Sequence, residues 1–420
     1  MSQPASFVSL TRIFGRIGLL SFGGPAAQIA LMQDELVDRH KLISQEAFLR
    51  ALSFCMLLPG PEAMQLCTFI GWKLRGTLGG LLAGALFVLP GALVIFALAA
   101  LYVGFGALPL VQAAFLGVQA SVVVIVAKAL HKLMGRALKR PLHWVIAALG
   151  FVGLFALHLP YPLLVLAAAI LGAVLAKPAA PVAPAPPRPD APPSRPLRTL
   201  LIWGSLWALP FGLAFALDQS FLLGLMTFFS KLAVVTFGGA YAVLAYMTQT
   251  VVQDQGWITT QAMIDALGLA ETTPGPLILV TQFVATLAGE AQGGLAFGLM
   301  AGLAALWVTF VPCFLWIFLF APHLDRLMAN PRLEGALSAV TAGVVGVILN
   351  LSLWFALHVI FGKLYTLDFG PVSMIWPAFE SLSLHALALI ALAAGLMRVL
   401  PLLGVLPLMG AIGALFALSF

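Results

Sequence analysis

Arg16 and Lys231 occupy the same place in two matching apolar strings, FGRIGLLSFGGP from Phe14 and FSKLAVVTFGGA from Phe229. Charges inside apolar segments are costly, and they face a pathway or a partner. Two cations held in this way suit an anion with several oxygen atoms, because charge-assisted hydrogen bonds can replace its hydration shell. The plainer reading is a long side chain reaching for the membrane interface, which Arg16 near the N-terminus would also satisfy.

Beside the cations lie residues that interrupt a helix. Gly23-Gly24-Pro25 and Pro59-Gly60-Pro61 stand in the first half, with Gly238-Gly239 and Pro274-Gly275-Pro276 in the second. A Pro-Gly-Pro run lacks two amide protons and favours non-helical angles. It leaves backbone groups free at membrane depth, where they are tolerated only inside protein or along a wet cavity. A helix restarting after such a break aims amide donors at that cavity. Paired breaks of this kind point to a transport site, with Gly23, Gly24, Gly60, Gly238, Gly239 and Gly275 offering backbone amides. A kinked packing helix is the bland alternative.

Acids are scarce, which gives weight to Glu62, directly after the first Pro-Gly-Pro, and Glu271, three residues before the second. If partly buried, either could bind and release a proton and couple transport to a gradient; either could equally pair with Arg16 or Lys231. Gln65, Thr272, Thr273, Thr281 and Gln282 could orient a substrate through neutral hydrogen bonds or simply bond a backbone carbonyl.

These residues need a frame, and composition supplies it. Of 420 residues, 62% are hydrophobic and 9% charged, too few charges for a soluble surface. The apolar residues fall in blocks such as Leu78–Tyr102, Val111–Ala127, Leu295–Phe320 and Leu400–Phe420. Such blocks exceed or approach the roughly 20 residues that a helix needs to cross a bilayer, and they lack the alternation of barrel strands. The expected fold is an all-α polytopic membrane protein.

From Phe14 to Phe229 the offset is 215 residues, and it holds to Pro59-Gly60-Pro61 against Pro274-Gly275-Pro276. The chain therefore contains two homologous halves with broken or re-entrant helices at the Pro-Gly-Pro motifs. Residues 177–198, KPAAPVAPAPPRPDAPPSRPLR, cannot sustain helix hydrogen bonds and divide an N-terminal repeat (1–176) from an extra span plus C-terminal repeat (199–420) as a cytoplasmic linker. If the basic clusters at Lys73/Arg75, at Lys128 to Arg140 and in the linker are all cytoplasmic, the turns near 104–108 and 158–161 are external, and these carry no Lys or Arg. With one added span at 199–217, the second repeat is expected to be inverted relative to the first. Between the landmarks, Ser44 and Thr259 read as helix caps. Met1–Ser9 is nearly uncharged, so no cleavable signal is expected.

Other chemistries find no support. Cys55, Cys67 and Cys313 lack metal or redox spacing, the seven histidines do not pair, and neither a metal site nor a cofactor is expected. A membrane redox-enzyme subunit would need such a set. The net charge of +6 is accounted for by orientation signals rather than by nucleic acid. Small residues at Gly80/Gly84 and Gly298/Gly302 permit close helix contacts, within the chain or in a homodimer.

The Phe-Gly-Gly-Pro element, the run from Leu57 to Gly91 beginning LLPGPEAMQ, and the strings FGGAYAVL and ETTPGPL resemble the chromate ion transporter family in its long, two-domain form. That resemblance implies a secondary transporter of the bacterial inner membrane, embedded in lipid, that exports chromate and confers chromate resistance, driven by the proton gradient or membrane potential. Sulfate is the competing substrate, and its uptake is the alternative reading, since both ions are tetrahedral dianions.

Overall fold

The computed structural model describes residues 6–176, 195–237, 240–370 and 372–418. Gly238, Gly239 and residues 177–194 of the expected linker lie outside them. The elements are helices α1 (Phe7–Leu20), α2 (Gly24–Gln33), α3 (Gln45–Cys55), α4 (Glu62–Phe105), α5 (Pro109–Ala137), α6 (Pro141–Phe155), α7 (Tyr161–Leu175), α8 (Pro196–Ala216), α9 (Ser220–Val235), α10 (Ala240–Thr248), α11 (Thr260–Thr272), α12 (Val280–Phe320), α13 (Leu324–Met328), α14 (Pro331–Ile360), α15 (Leu384–Leu396) and α16 (Leu402–Leu418). Among the described residues, five helical segments, the one around α12 extended by the short turns at its two ends, are long and apolar enough to cross a membrane. The protein is an all-α polytopic membrane protein, with one small departure. Strands β1 (Leu364–Phe369) and β2 (Val372–Pro377) form an antiparallel hairpin. Its signal was the aromatic and β-branched content around Gly370. Helix α8 begins with Pro196 in its first turn, where a missing amide proton costs nothing, and so takes in the last three residues expected in the linker.

The halves repeat in detail. Helices α1 and α9 end at Leu20 and Val235, π-turns span Asp34–Arg39 and Gln249–Asp254, and α3 and α11 start at Gln45 and Thr260, each pair 215 apart. Ser44 and Thr259 accept hydrogen bonds from the amides of Ala47 and Ala262, as helix caps should. Beyond the breaks the offset grows by three. A 3-10 turn at Leu277–Leu279 is inserted before α12, so that Arg75-Gly76 matches Gly293-Gly294 at 218.

At those two positions the long helices α4 and α12 fold back on themselves. Gly76 and Gly294 sit at φ +64° and +74°, left-handed values that only glycine adopts readily. A straight helix would hold residues 68 and 84 about 24 Å apart. Instead a Cβ on Gly84 would strike the hydroxyl of Thr68, and one on Gly302 would strike that of Thr286. Each first arm, 62–74 and 280–292, is 13 residues or about 20 Å long, too short to cross about 30 Å of hydrocarbon alone. The second arms, 77–105 and 295–320, are long enough.

Two compact units result, each drawing on both repeats. One contains Met1–Ala99, Leu175–Ala240 and Thr273–Gly335; the other contains Ala100–Val174, Tyr241–Thr272 and Ala336–Phe420. In the first unit, α1 buries Leu10, Ile13, Phe14 and Ile17 at helical spacing, and its Gly18 lies against the backbone of Leu86. Gly84 receives the ring of Phe314, and Gly302 receives the ring of Phe96. At an offset of 218 these are one contact made twice, with the repeats exchanged. In the second unit, too, helices of opposite repeats pack closely. Gly117 of α5 lies against Met409 of α16, while Gly346 of α14 lies against Ala147 and Phe151 of α6. Small residues allow these close approaches, which lipid alone would not drive.

Candidate functional site

The breaks meet inside the first unit in a crossed pattern. The amide of Gly60, in the first Pro-Gly-Pro, donates to the carbonyl oxygen of Thr236 at 2.9 Å; the amide of Gly275, in the second, donates to that of Ser21 at 2.9 Å. Residues 21 and 236, and 60 and 275, are equivalent at 215, so each repeat's Pro-Gly-Pro closes the other repeat's opening break. Such an exchange is the mark of two-fold-related parts. Ser21 and Thr236 are both buried, and each hydroxyl donates to the carbonyl four residues back, Ile17 and Leu232.

Three buried glutamines support this arrangement. The Nε2 of Gln28 donates to the carbonyl of Gly275 at 2.7 Å, Gln65 donates to that of Pro59 at 2.7 Å, and Gln282 donates to that of Ala92 at 2.9 Å. Gln28 and Gln65 thereby satisfy backbone acceptors that the Pro-Gly-Pro breaks have displaced from the helical ladder, while Gln282 ties α12 to the second arm of α4. Their own carbonyl oxygens are buried without a hydrogen-bond partner. Acceptors left bare in this way call for a donor, from water or from a protonated ligand. Gly60 and Gly275 have φ of +124° and +85°, and a Cβ at Gly60 would come within 3.0 Å of Gln65 and Cys313. Gly91 abuts the carbonyl of Pro274 so closely that no side chain fits. The first turns of α2 and of the segment leading into α12 thus converge at Ser21 and Gly275, and the first turn of α4 lies at Thr236.

The chromate transporter family model matches residues 8–173 and 223–417. The chain belongs to the chromate transporter family. It is 37% identical over 363 residues to a chromate transport protein of Pseudomonas aeruginosa, covering 82% of this chain and 80% of that one. Over 340 residues it is 30% identical to a chromate transport protein of Cupriavidus metallidurans, with 81% and 80% covered. Over 348 residues it is 28% identical to a probable chromate transport protein of Synechococcus elongatus, with 82% and 84% covered. No solved structure matches significantly. The family is one of transporters, not enzymes.

In this family member the residues singled out from sequence are dispersed as well as gathered. Gly23, with φ of +81°, caps α2, and Gly24 and Pro25 open it. Pro59, Gly60, Pro61, Gln65, Pro274, Gly275 and Gln282 lie at or near the crossed breaks, Pro276 follows Gly275, and Thr273 is buried. Thr272 belongs to the other unit and donates to the carbonyl of Leu269 at 2.7 Å, closing its own helix. Glu62 opens α4.

The cations stand apart. Arg16 is exposed and its Nε lies 3.2 Å from Oε1 of Glu35, which is 1% exposed and also binds Arg39 at 3.0 Å and His40 at 3.5 Å. Lys231 is exposed and makes no ion pair among the described residues. Glu271 is buried in the second unit, where the hydroxyl of Tyr241 donates to its Oε1 at 2.8 Å. Glu35 adjoins none of the sequence motifs, and its four-residue spacing to Arg39 is the sign of pairing that the sequence carries.

Proposed function

We propose that the protein is a secondary transporter that exports chromate across a bacterial inner membrane and thereby confers chromate resistance. The observation carrying this reading is the reciprocal pair Gly60 to Thr236 and Gly275 to Ser21. Two helix breaks that close one another can open alternately, which is what alternating access requires. With α8 as a single added span, the second repeat runs inverted to the first, and the two-fold exchange of contacts fits an axis in the membrane plane.

The substrate meets the amides of Gly23 and Gly24, those of Gly60 and Gly275 once their break opens, and the side chains of Gln65, Gln282 and Thr273, with Arg16 and Lys231 as charge partners at the approaches. Lys231, which has no carboxylate partner among the described residues, is the stronger attractor of the two. Direction follows from electrostatics. Moving two negative charges outward across about 100 mV, negative inside, yields roughly 4.6 kcal/mol, enough for an approximately thousandfold gradient. Uptake of the same dianion would have to overcome that sum. Proton exchange through Glu271 or Glu62 adds to the potential; Glu271 suits the role because its described partner is a neutral hydroxyl, not a cation.

Labelled chromate accumulation in inside-out vesicles, with excess sulfate as competitor, tests this. Uptake into such vesicles that survives sulfate supports chromate export, and suppression by sulfate makes the site a general dianion site. Flux only in right-side-out vesicles reverses the direction and favours uptake.

A further inference from the structure

The second unit holds a buried carboxylate with no counter-ion among the described residues. Asp265 on α11 is 4% exposed. Its Oδ1 accepts from Nε2 of Gln119 at 2.6 Å and of Gln261 at 3.2 Å, and its Oδ2 accepts from the hydroxyl of Tyr102 at 2.8 Å. All three donors are neutral, and no Lys, Arg or His reaches it within ion-pair distance among the described residues.

The surroundings hold this set in place. Gly268, one turn along α11, meets Val118 so closely that a Cβ there would come within 2.9 Å, which brings Asp265 against Gln119 on α5. The ring of Tyr102 packs edge-on against Phe115 at 5.5 Å. The titratable groups on the packed elements are few. Tyr102 closes α4, and Glu271 lies six residues along α11 bonded to Tyr241. On α5 the first charge after Gln119 is Lys128, about 13 Å further along the helix.

A carboxylate removed from water without a counter-ion is stable only if hydrogen-bonded or protonated. Here three donors fill three of its roughly four lone-pair positions, leaving one on Oδ2. A proton added there leaves Oδ1 accepting from both amides, so the pocket accepts both protonation states without rebuilding. A metal cation fits poorly, because amide hydrogens rather than carbonyl oxygens face the carboxylate. The equivalent position in the first repeat is Arg50, exposed and paired with Asp325, so this acid is particular to the second repeat.

We propose that Asp265 is a proton-binding site whose loading is coupled to substrate movement, with Tyr102, Gln119 and Gln261 as positioning residues. The coupling rests on the transport reading above; the proton site does not. Infrared difference spectra of the reconstituted full chain, titrated with pH, should show a protonated-carboxyl band that is absent in Asp265→Asn. Its midpoint should move to higher pH in Tyr102→Phe, which removes a donor from the ionised form. A titrating spectrum identical in Asp265→Asn and the unmodified chain would overturn the proton site.

In liposomes, Asp265→Asn should keep chromate exchange within about twofold while losing about tenfold or more of the accumulation driven by a pH gradient. Equal loss of both, or of neither, would overturn the coupling. If the unmodified chain moves no chromate at all, the transport reading fails while the infrared titration still decides the proton site.

Discussion

In the first repeat, Arg16, Arg39 and His40 share one buried carboxylate, Glu35; in the second, Lys231 stands exposed without an ion pair among the described residues, and Thr250 occupies the position equivalent to Glu35. The acids of the second repeat lie elsewhere. Asp265 and Glu271 are buried on α11 where the first repeat has Arg50 and Met56. Backbone architecture has been conserved between the halves down to single hydrogen bonds, while charge has been redistributed. This fits a division of labour in which the breaks must act as a pair, whereas attraction of the anion and handling of protons fall chiefly to one half.

The largest effects should come from what the halves share. Alanine at Gly60 or Gly275 forces a left-handed backbone at about 1–2 kcal/mol and crowds its neighbours by about 1–3 kcal/mol more. Both variants should therefore lose several degrees of thermal stability in detergent and nearly all flux, and to similar extents. A severe loss in one with a mild loss in the other would break the equivalence of the two breaks.

Next comes the charge asymmetry. Lys231→Ala removes a cation that no carboxylate of the described protein offsets, and flux at low chromate should fall about ten- to a hundredfold, as expected for a charge-assisted hydrogen bond of about 1.5–3 kcal/mol. Arg16→Ala leaves Glu35 with Arg39 and His40, so its flux should fall less. Equal losses would mean that Glu35 does not neutralise Arg16 during transport. Glu35→Gln sharpens this point. It should cost about 1.5–3 kcal/mol in stability, read as a lower unfolding midpoint, because charged hydrogen bonds to a buried group are lost.

Much of this was legible in the sequence, and the reasons are physical. The 215-residue register, the helix caps at Ser44 and Thr259 and the breaks are local properties of Gly, Pro and Ser/Thr, which act through their own backbone. The hairpin at Gly76 was less visible, since Arg75-Gly76 looks like an ordinary loop between spans and only the close approach of Gly84 to Thr68 shows the reversal. The exchange of partners could not be read at all. It depends on pairings such as Gly60 with Thr236 that lie far apart in the chain. Gln28 and Asp265 were single polar residues in apolar runs, a signal that was present but was given only to residues adjoining the breaks.

The smallest predicted effect tests whether equivalent positions can lose equivalent roles. Arg50 and Asp265 match at 215, but Arg50 pairs with Asp325 at 2.9 Å with both side chains more than a third exposed, whereas Asp265 is enclosed by neutral donors. An exposed pair gains little over two separately solvated ions, and it orders two side chains in doing so. Arg50→Ala should thus change stability by at most about 1 kcal/mol and leave the pH dependence of flux unchanged. A shift in the pH profile of Arg50→Ala, measured beside Asp265→Asn, would return the proton-handling role to both repeats and remove the asymmetry drawn between them.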